Sequence, residues 1–285
     1  MTEDLAPLIT PRVLADRLGE PRLLIVDCRF ELADTGAGRR AYDAAHLPGA
    51  VYAHLDADLS GPVTAHSGRH PLPSPEGFAT TLSNWGVTPA TEVIAYDGAS
   101  GATAARLWWM LRAIGHARAR VLEGGFAAWV AAGLPVTSAP ATRAAAAVAA
   151  RPFAGWLTTA EVAAGLDSGR MRLVDARAAD RFAGRNETLD PRPGRVPGAV
   201  NHPFAGNLGS DGRFLPATEL ARRWRATLGE FSPREAVMMC GSGVTACHNL
   251  LALEVAGLPG ARLYAGSYSE WIRDPARAVA TGEPT

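Results

Sequence analysis

Cys240 lies in the run Val237-Met238-Met239-Cys240-Gly241-Ser242-Gly243-Val244-Thr245-Ala246, and sulfur chemistry is what that run is suited to do. Apolar residues lead in as a buried strand does, and the cysteine falls where the strand stops. Two glycines and a serine follow, then an apolar helix-like stretch through Cys247, Leu251 and Val255. A thiol so placed faces backbone N–H groups and the positive end of a helix, which favours the thiolate form. A thiolate cradled by amides is a nucleophile. The competing reading of any cysteine is a small buried apolar side chain. That reading suits Cys247, inside the apolar helix, and Cys28, at a strand end near the N-terminus.

The elements that must position this loop occur twice. Leu24-Ile25-Val26-Asp27-Cys28-Arg29 returns as Arg172-Leu173-Val174-Asp175-Ala176-Arg177, and His46-Leu47-Pro48-Gly49-Ala50-Val51 as Arg195-Val196-Pro197-Gly198-Ala199-Val200. Val93-Ile94-Ala95-Tyr96-Asp97-Gly98 returns as Ala236-Val237-Met238-Met239-Cys240-Gly241, and Gly124-Gly125-Phe126-Ala127-Ala128-Trp129 as Gly266-Ser267-Tyr268-Ser269-Glu270-Trp271. Ordered matches at so long a period mean two globular copies rather than a solenoid. Strands alternate with helices in each, which predicts an α/β fold with a mostly parallel sheet flanked by helices. Ligands of such sheets sit beyond the carboxyl ends of strands, where Cys240 is placed. The expected division is one domain over 1–140, a linker over 141–153 that carries an Ala run and Arg151-Pro152, and a second domain over 154–285. Asp97 stands in the first copy where the second has Cys240, and a carboxylate there cannot be a sulfur nucleophile. The Asp-x-Arg pairs, Asp27 with Arg29 and Asp175 with Arg177, recur in both copies and read as structural braces.

Totals narrow the function. The 285 residues suit two domains, and 28 acidic residues balance 28 basic ones, so neither nucleic acid nor a charged membrane surface is an expected partner. Every basic residue is Arg; without lysine there is neither a Schiff base nor a P-loop. Three cysteines make no disulfide framework, and no apolar stretch has the length of a membrane span, so a cytoplasmic setting is expected. His54, His66, His116, His202 and His248 show no metal-ligand spacing, and no metal is expected.

Two tandem copies with a cysteine loop only in the second resemble the rhodanese superfamily of sulfurtransferases. The loop Cys240-Gly241-Ser242-Gly243-Val244-Thr245 is similar to that of 3-mercaptopyruvate sulfurtransferases, whereas thiosulfate sulfurtransferases typically carry Cys-Arg-Lys-Gly-Val-Thr. Gly241 and Ser242 bring no charge, which suits a monoanionic carboxylate better than the thiosulfate dianion. The resemblance implies two arginines for that carboxylate: Arg181 in the pair Arg181-Phe182, and Arg192 in Pro191-Arg192, with Arg195 as the alternative. It also implies a proton relay from Ser242 through His70, in His70-Pro71-Leu72-Pro73, to Asp56.

The activity so implied moves sulfane sulfur from 3-mercaptopyruvate, through a Cys240 persulfide stabilised by the amides of Gly241, Gly243, Val244 and Thr245, to an acceptor, with release of pyruvate. The acceptor would be cyanide, a low-molecular-weight thiol or thioredoxin. No cofactor is called for, and a self-sufficient monomer is expected. Thiosulfate as donor is the first alternative, and a non-catalytic persulfide carrier or docking module the second. A phosphatase of the same fold would need arginine six positions after the cysteine, where this chain has Ala246.

Overall fold

The structure is a computed structural model that describes residues 5–283. The chain forms two compact units. The first takes the residues up to Gly61, Leu72–Ala154 and Ser210–Phe214; the second takes Pro62–Pro71, Gly155–Gly209 and the residues from Leu215 onward.

The first unit is built on β1 (Leu8–Ile9), β2 (Leu23–Asp27), β3 (Ala50–Tyr52), β4 (Glu92–Tyr96) and β5 (Ala119–Leu122). All pairings are parallel, in the order β1-β5-β4-β2-β3. The second unit repeats that order as β6-β10-β9-β7-β8, with β6 (Trp156–Leu157), β7 (Arg172–Asp175), β8 (Val200–Asn201), β9 (Ala236–Met239) and β10 (Arg262–Tyr264). The predicted α/β architecture of two parallel sheets flanked by helices is therefore present. The central strands β2, β4 and β9 are buried along their whole length, as strands covered on both faces must be.

In each unit a capped helix follows the first strand of its sheet. Thr10 caps Pro11–Ala15, and Thr158 caps Thr159–Asp167 in a capping box completed by Glu161. The core of the second unit gathers Leu173, Phe182, Val237, Tyr264, Tyr268 and Trp271. Its counterpart in the first gathers Leu14, Ile25, Leu47, Ile94, Tyr96 and Trp129.

The stretch 141–153, expected as an exposed linker, takes no helix and runs along the first unit. Ser83 Oγ donates to Ala146 O at 2.6 Å, Ala146 N donates back to Ser83 O at 3.0 Å, and Arg143 Nη1 donates to Leu23 O at 2.9 Å. The Phe153 ring stacks on Trp109. Backbone partners on the unit replace the intrasegment bonds a helix would make, because this strip is edged by Pro140 and Pro152.

Candidate active site

Strand β9 ends at Met239, and the loop from Cys240 leads into the helix Thr245–Val255. The loop folds around its own cysteine: Ser242 N lies 3.4 Å and Gly243 N 3.1 Å from Cys240 Sγ. Cys240 is 2% exposed, so these amides, rather than water, set the environment of the sulfur. Gly243 is a requirement of this turn. Its φ is +79°, and a Cβ there would sit 2.3 Å from Ala265 O. Cys247 Sγ, one helical turn on, donates to Gly243 O at 3.3 Å and is buried in the core, as expected of it.

The short helix Ser267–Trp271 fixes the loop from the other side. Tyr268 N donates to Cys240 O at 3.0 Å, and Ser269 N donates to Gly241 O at 2.9 Å. Ser267 has the left-handed φ of 53° and uses its hydroxyl twice, accepting from Cys240 N at 3.1 Å and donating to Tyr264 O at 2.9 Å.

The same helix holds the segment 67–70. Gly68 N donates to Glu270 Oε2 at 3.3 Å, Arg69 N donates to Ser269 Oγ at 3.0 Å, and Arg273 Nε donates to Ser67 O at 3.2 Å. Contact is so close that a Cβ on Gly68 would lie 2.5 Å from Gly266 O. This anchoring brings His70, itself 4% exposed, to the loop, where its Nδ1 and Ser242 Oγ share a hydrogen bond of 2.7 Å. Ser242 and His70 are thus together. Asp56 belongs to the first unit, exposed in the turn Leu55–Asp58, where its N–H donates to His54 Nδ1 at 3.1 Å.

Of the arginines singled out from the sequence, Arg181 is at the loop. Its Nη2 and Nη1 lie 3.6 and 3.8 Å from where a Cβ of Gly241 would be. Arg181 Nε and Nη2 grip Glu187, and Nη2 also reaches Asp190 at 3.1 Å. Burial works against the Glu187 carboxylate, but the hydrogen bonds from Arg181 and from the amides of Leu189 and Asp190 outweigh it and hold its pKa below the usual glutamate range. Arg192 donates instead to Asp274 O at 3.4 Å and Arg277 O at 3.0 Å. Arg195 donates to Gly282 O at 2.6 Å and Glu283 O at 3.4 Å, and lies over the Phe182 ring. Both guanidinium groups are engaged with backbone carbonyls of residues 274–283. Arg69 was not foreseen from the sequence. Its Nη2 is 3.1 Å from the Cβ position of Gly241, nearer than any atom of Arg181, and its Nη1 donates to Asp190 at 2.7 Å. Adjacency to His70 was the one sequence signal for it.

The Asp-x-Arg pairs are braces. Arg177 binds Asp175 at 2.7 Å, reaches Gly194 O at 2.8 Å and lies 3.9 Å over the Tyr268 ring. Arg29 repeats this with Asp27, Ala45 O and the Phe126 ring. Among the described residues no group of three or more His, Cys, Asp or Glu is placed to hold a metal ion, and no helix is long and apolar enough to cross a membrane.

This chain belongs to the rhodanese family: the model of the rhodanese-like domain matches it twice, over residues 10–132 and 158–274. The "Probable 3-mercaptopyruvate sulfurtransferase" of Pseudomonas aeruginosa is 48% identical over 98% of this chain and 99% of its own length. A thiosulfate sulfurtransferase of Gallus gallus is 35% identical over 94% of this chain and 92% of its own. Among solved structures, SseA from Escherichia coli, one of the 3-mercaptopyruvate sulfotransferases, superposes with a TM-score of 0.81 at 30% identity, covering 93% of this chain and all of that one.

Proposed function

We propose that the protein is a 3-mercaptopyruvate sulfurtransferase that works through a persulfide on Cys240. The observation that carries this reading is the pair of amides, Ser242 N and Gly243 N, directed at Cys240 Sγ, with Ser242 in turn bonded to His70. The Cys240 thiolate attacks the donor sulfur, an S–S bond forms, and the donor's C–S bond breaks with its electron pair leaving on carbon as pyruvate enolate. The proton of the donor thiol passes by way of Ser242 and His70 to that carbon, which yields pyruvate and a Cys240 persulfide anion. Amides of the 241–245 loop stabilise the charge on the outer sulfur. An acceptor thiolate or cyanide then attacks the outer sulfur and regenerates the Cys240 thiolate, which makes the cycle ping-pong. Low-molecular-weight thiols and a thioredoxin-like dithiol fit that second step. Neither step draws on a metal or an organic cofactor, and both belong in a reducing, cytoplasmic compartment.

Charge supports this donor over thiosulfate. Two guanidinium groups, Arg69 and Arg181, approach Gly241, but Asp190 and Glu187 bind them and balance them. A monoanion fits that balance better than a dianion. Supplied with 3-mercaptopyruvate and dithiothreitol, the protein should release pyruvate and sulfide, and Cys240 should gain the mass of one sulfur atom when the acceptor is withheld. A Cys240→Ser variant that releases pyruvate as fast as the wild type would overturn the enzyme reading. A larger kcat/KM for thiosulfate would overturn the choice of donor.

A further inference from the structure

We propose that Arg69, rather than Arg192 or Arg195, is the second carboxylate-binding residue of this site, closing with Arg181 a two-guanidinium clamp over Gly241. This rests on the donor being a carboxylate, as proposed above. Three observations carry it, all within the second unit.

The first is proximity. The side-chain space of Gly241, next to the nucleophile, is bounded by Arg69 Nη2 at 3.1 Å and by Arg181 Nη2 and Nη1 at 3.6 and 3.8 Å. A carboxylate lying on Gly241 would meet both.

The second is hydrogen-bonding capacity. The Nε–Nη2 edge of Arg181 is occupied by Glu187, and Asp190 takes Nη2 as well. Arg69 spends only Nη1 on Asp190, and its Nε is a buried N–H with no acceptor. A buried donor left without a partner is costly, and the Nε–Nη2 edge is one of the two that take a carboxylate with parallel bonds. Arg192 and Arg195, by contrast, are spent on backbone carbonyls.

The third is rigidity. Asp190, whose side chain is 1% exposed, bonds both Arg69 and Arg181 and so sets their spacing. The Arg69 backbone is held by Ser269 Oγ on the helix that also holds the loop. The side chains of Arg69 and Arg181 keep 26% and 20% exposure, so the clamp faces solvent. Glycine at 241 leaves room for an arginine reaching in from residue 69, and the cation arrives from outside the loop rather than from within it.

The test compares wild type with Arg69→Gln on two donors, 3-mercaptopyruvate and its uncharged methyl ester. For the acid, Arg69→Gln should lower kcat/KM by roughly 10- to 100-fold, chiefly through KM, as the loss of a charged bidentate contact does. For the ester, the two proteins should differ by less than about 3-fold. Equal losses on acid and ester would mean that Arg69 only braces the loop, and the proposal would fall. Failure of the wild type on 3-mercaptopyruvate would remove the activity reading alone. The clamp is then judged by calorimetric binding of pyruvate, which Arg69→Gln should weaken about 10-fold and Arg192→Ala should weaken less. Equal weakening by both substitutions, or by neither, would overturn it.

Discussion

The loops that follow β4 and β9 offer the same ring of amides to two different acceptors. In the first unit the Asp97 carboxylate fills the cradle, accepting from Ala99 N at 3.1 Å, Gly101 N at 2.9 Å, Thr103 N at 2.9 Å and Thr103 Oγ1 at 3.2 Å. In the second, Cys240 Sγ takes the place of those oxygens before Ser242 N and Gly243 N. The supports correspond residue by residue. Phe126 N and Ala127 N bind Asp97 O and Gly98 O at 2.8 and 2.9 Å, as Tyr268 N and Ser269 N bind Cys240 O and Gly241 O. A ring of amides after a parallel strand is thus an anion site by construction. An internal carboxylate makes it structural, and under the proposed function the sulfur of Cys240 makes it reactive.

The largest expected effect comes from making the second loop like the first. Cys240→Asp should cost about 1000-fold or more in pyruvate release, because it removes the proposed nucleophile. The fold should survive, with a melting temperature no lower than that of Cys240→Ala; a much lower one would mean that the second cradle does not accept a carboxylate. Next in size is Asp97→Ala. It strands several amide donors in the first unit and should destabilise the protein by about 3 kcal/mol in urea unfolding. A loss under about 0.5 kcal/mol, the size of an ordinary surface change, would show that Asp97 is a bystander.

The smallest effect concerns the aromatic under the brace arginine, Phe126 in the first unit and Tyr268 in the second. Burial pushes the Tyr268 phenol up to about 12, against the pull of Arg177. A folded-state pKa above the unfolded value of about 10 contributes stability that is complete below that pH and is lost between pH ~10 and ~12. Tyr268→Phe copies the first unit and removes the 2.8 Å bond to Arg192 O. It should cost about 1 kcal/mol at neutral pH and flatten the alkaline decline in stability. An unchanged alkaline profile would assign that decline to other tyrosines.

The duplicated α/β architecture was legible because apolar strands, Asp-x-Arg strand ends and Pro-Gly-Ala turns are short-range patterns, and they recur in order. The Cys240 loop was legible for the same reason: strand, cysteine, glycines and helix are contiguous in the chain. The Ser242–His70 pairing came from resemblance, since no local pattern links residues so far apart. Arg69, Glu187 and Asp190 were not legible. Segment 67–70 has no periodicity and is placed by backbone contacts to residues 266–273. In a chain whose basic residues are all arginine, nothing in composition separates a guanidinium beside Gly241 from Arg192 or Arg195, which tie down turns.

Ser267 shows what the cysteine-bearing half keeps that the other half does without. Its counterpart Gly125 takes φ 54° freely, whereas a serine at φ 53° gives up about 1 kcal/mol or more of backbone comfort. In return the hydroxyl pins the peptide of Cys240 to the tip of the neighbouring strand. Local discomfort is tolerated where aim matters: if Cys240 works as proposed, its sulfur meets an incoming orbital from a peptide that has little freedom to swing.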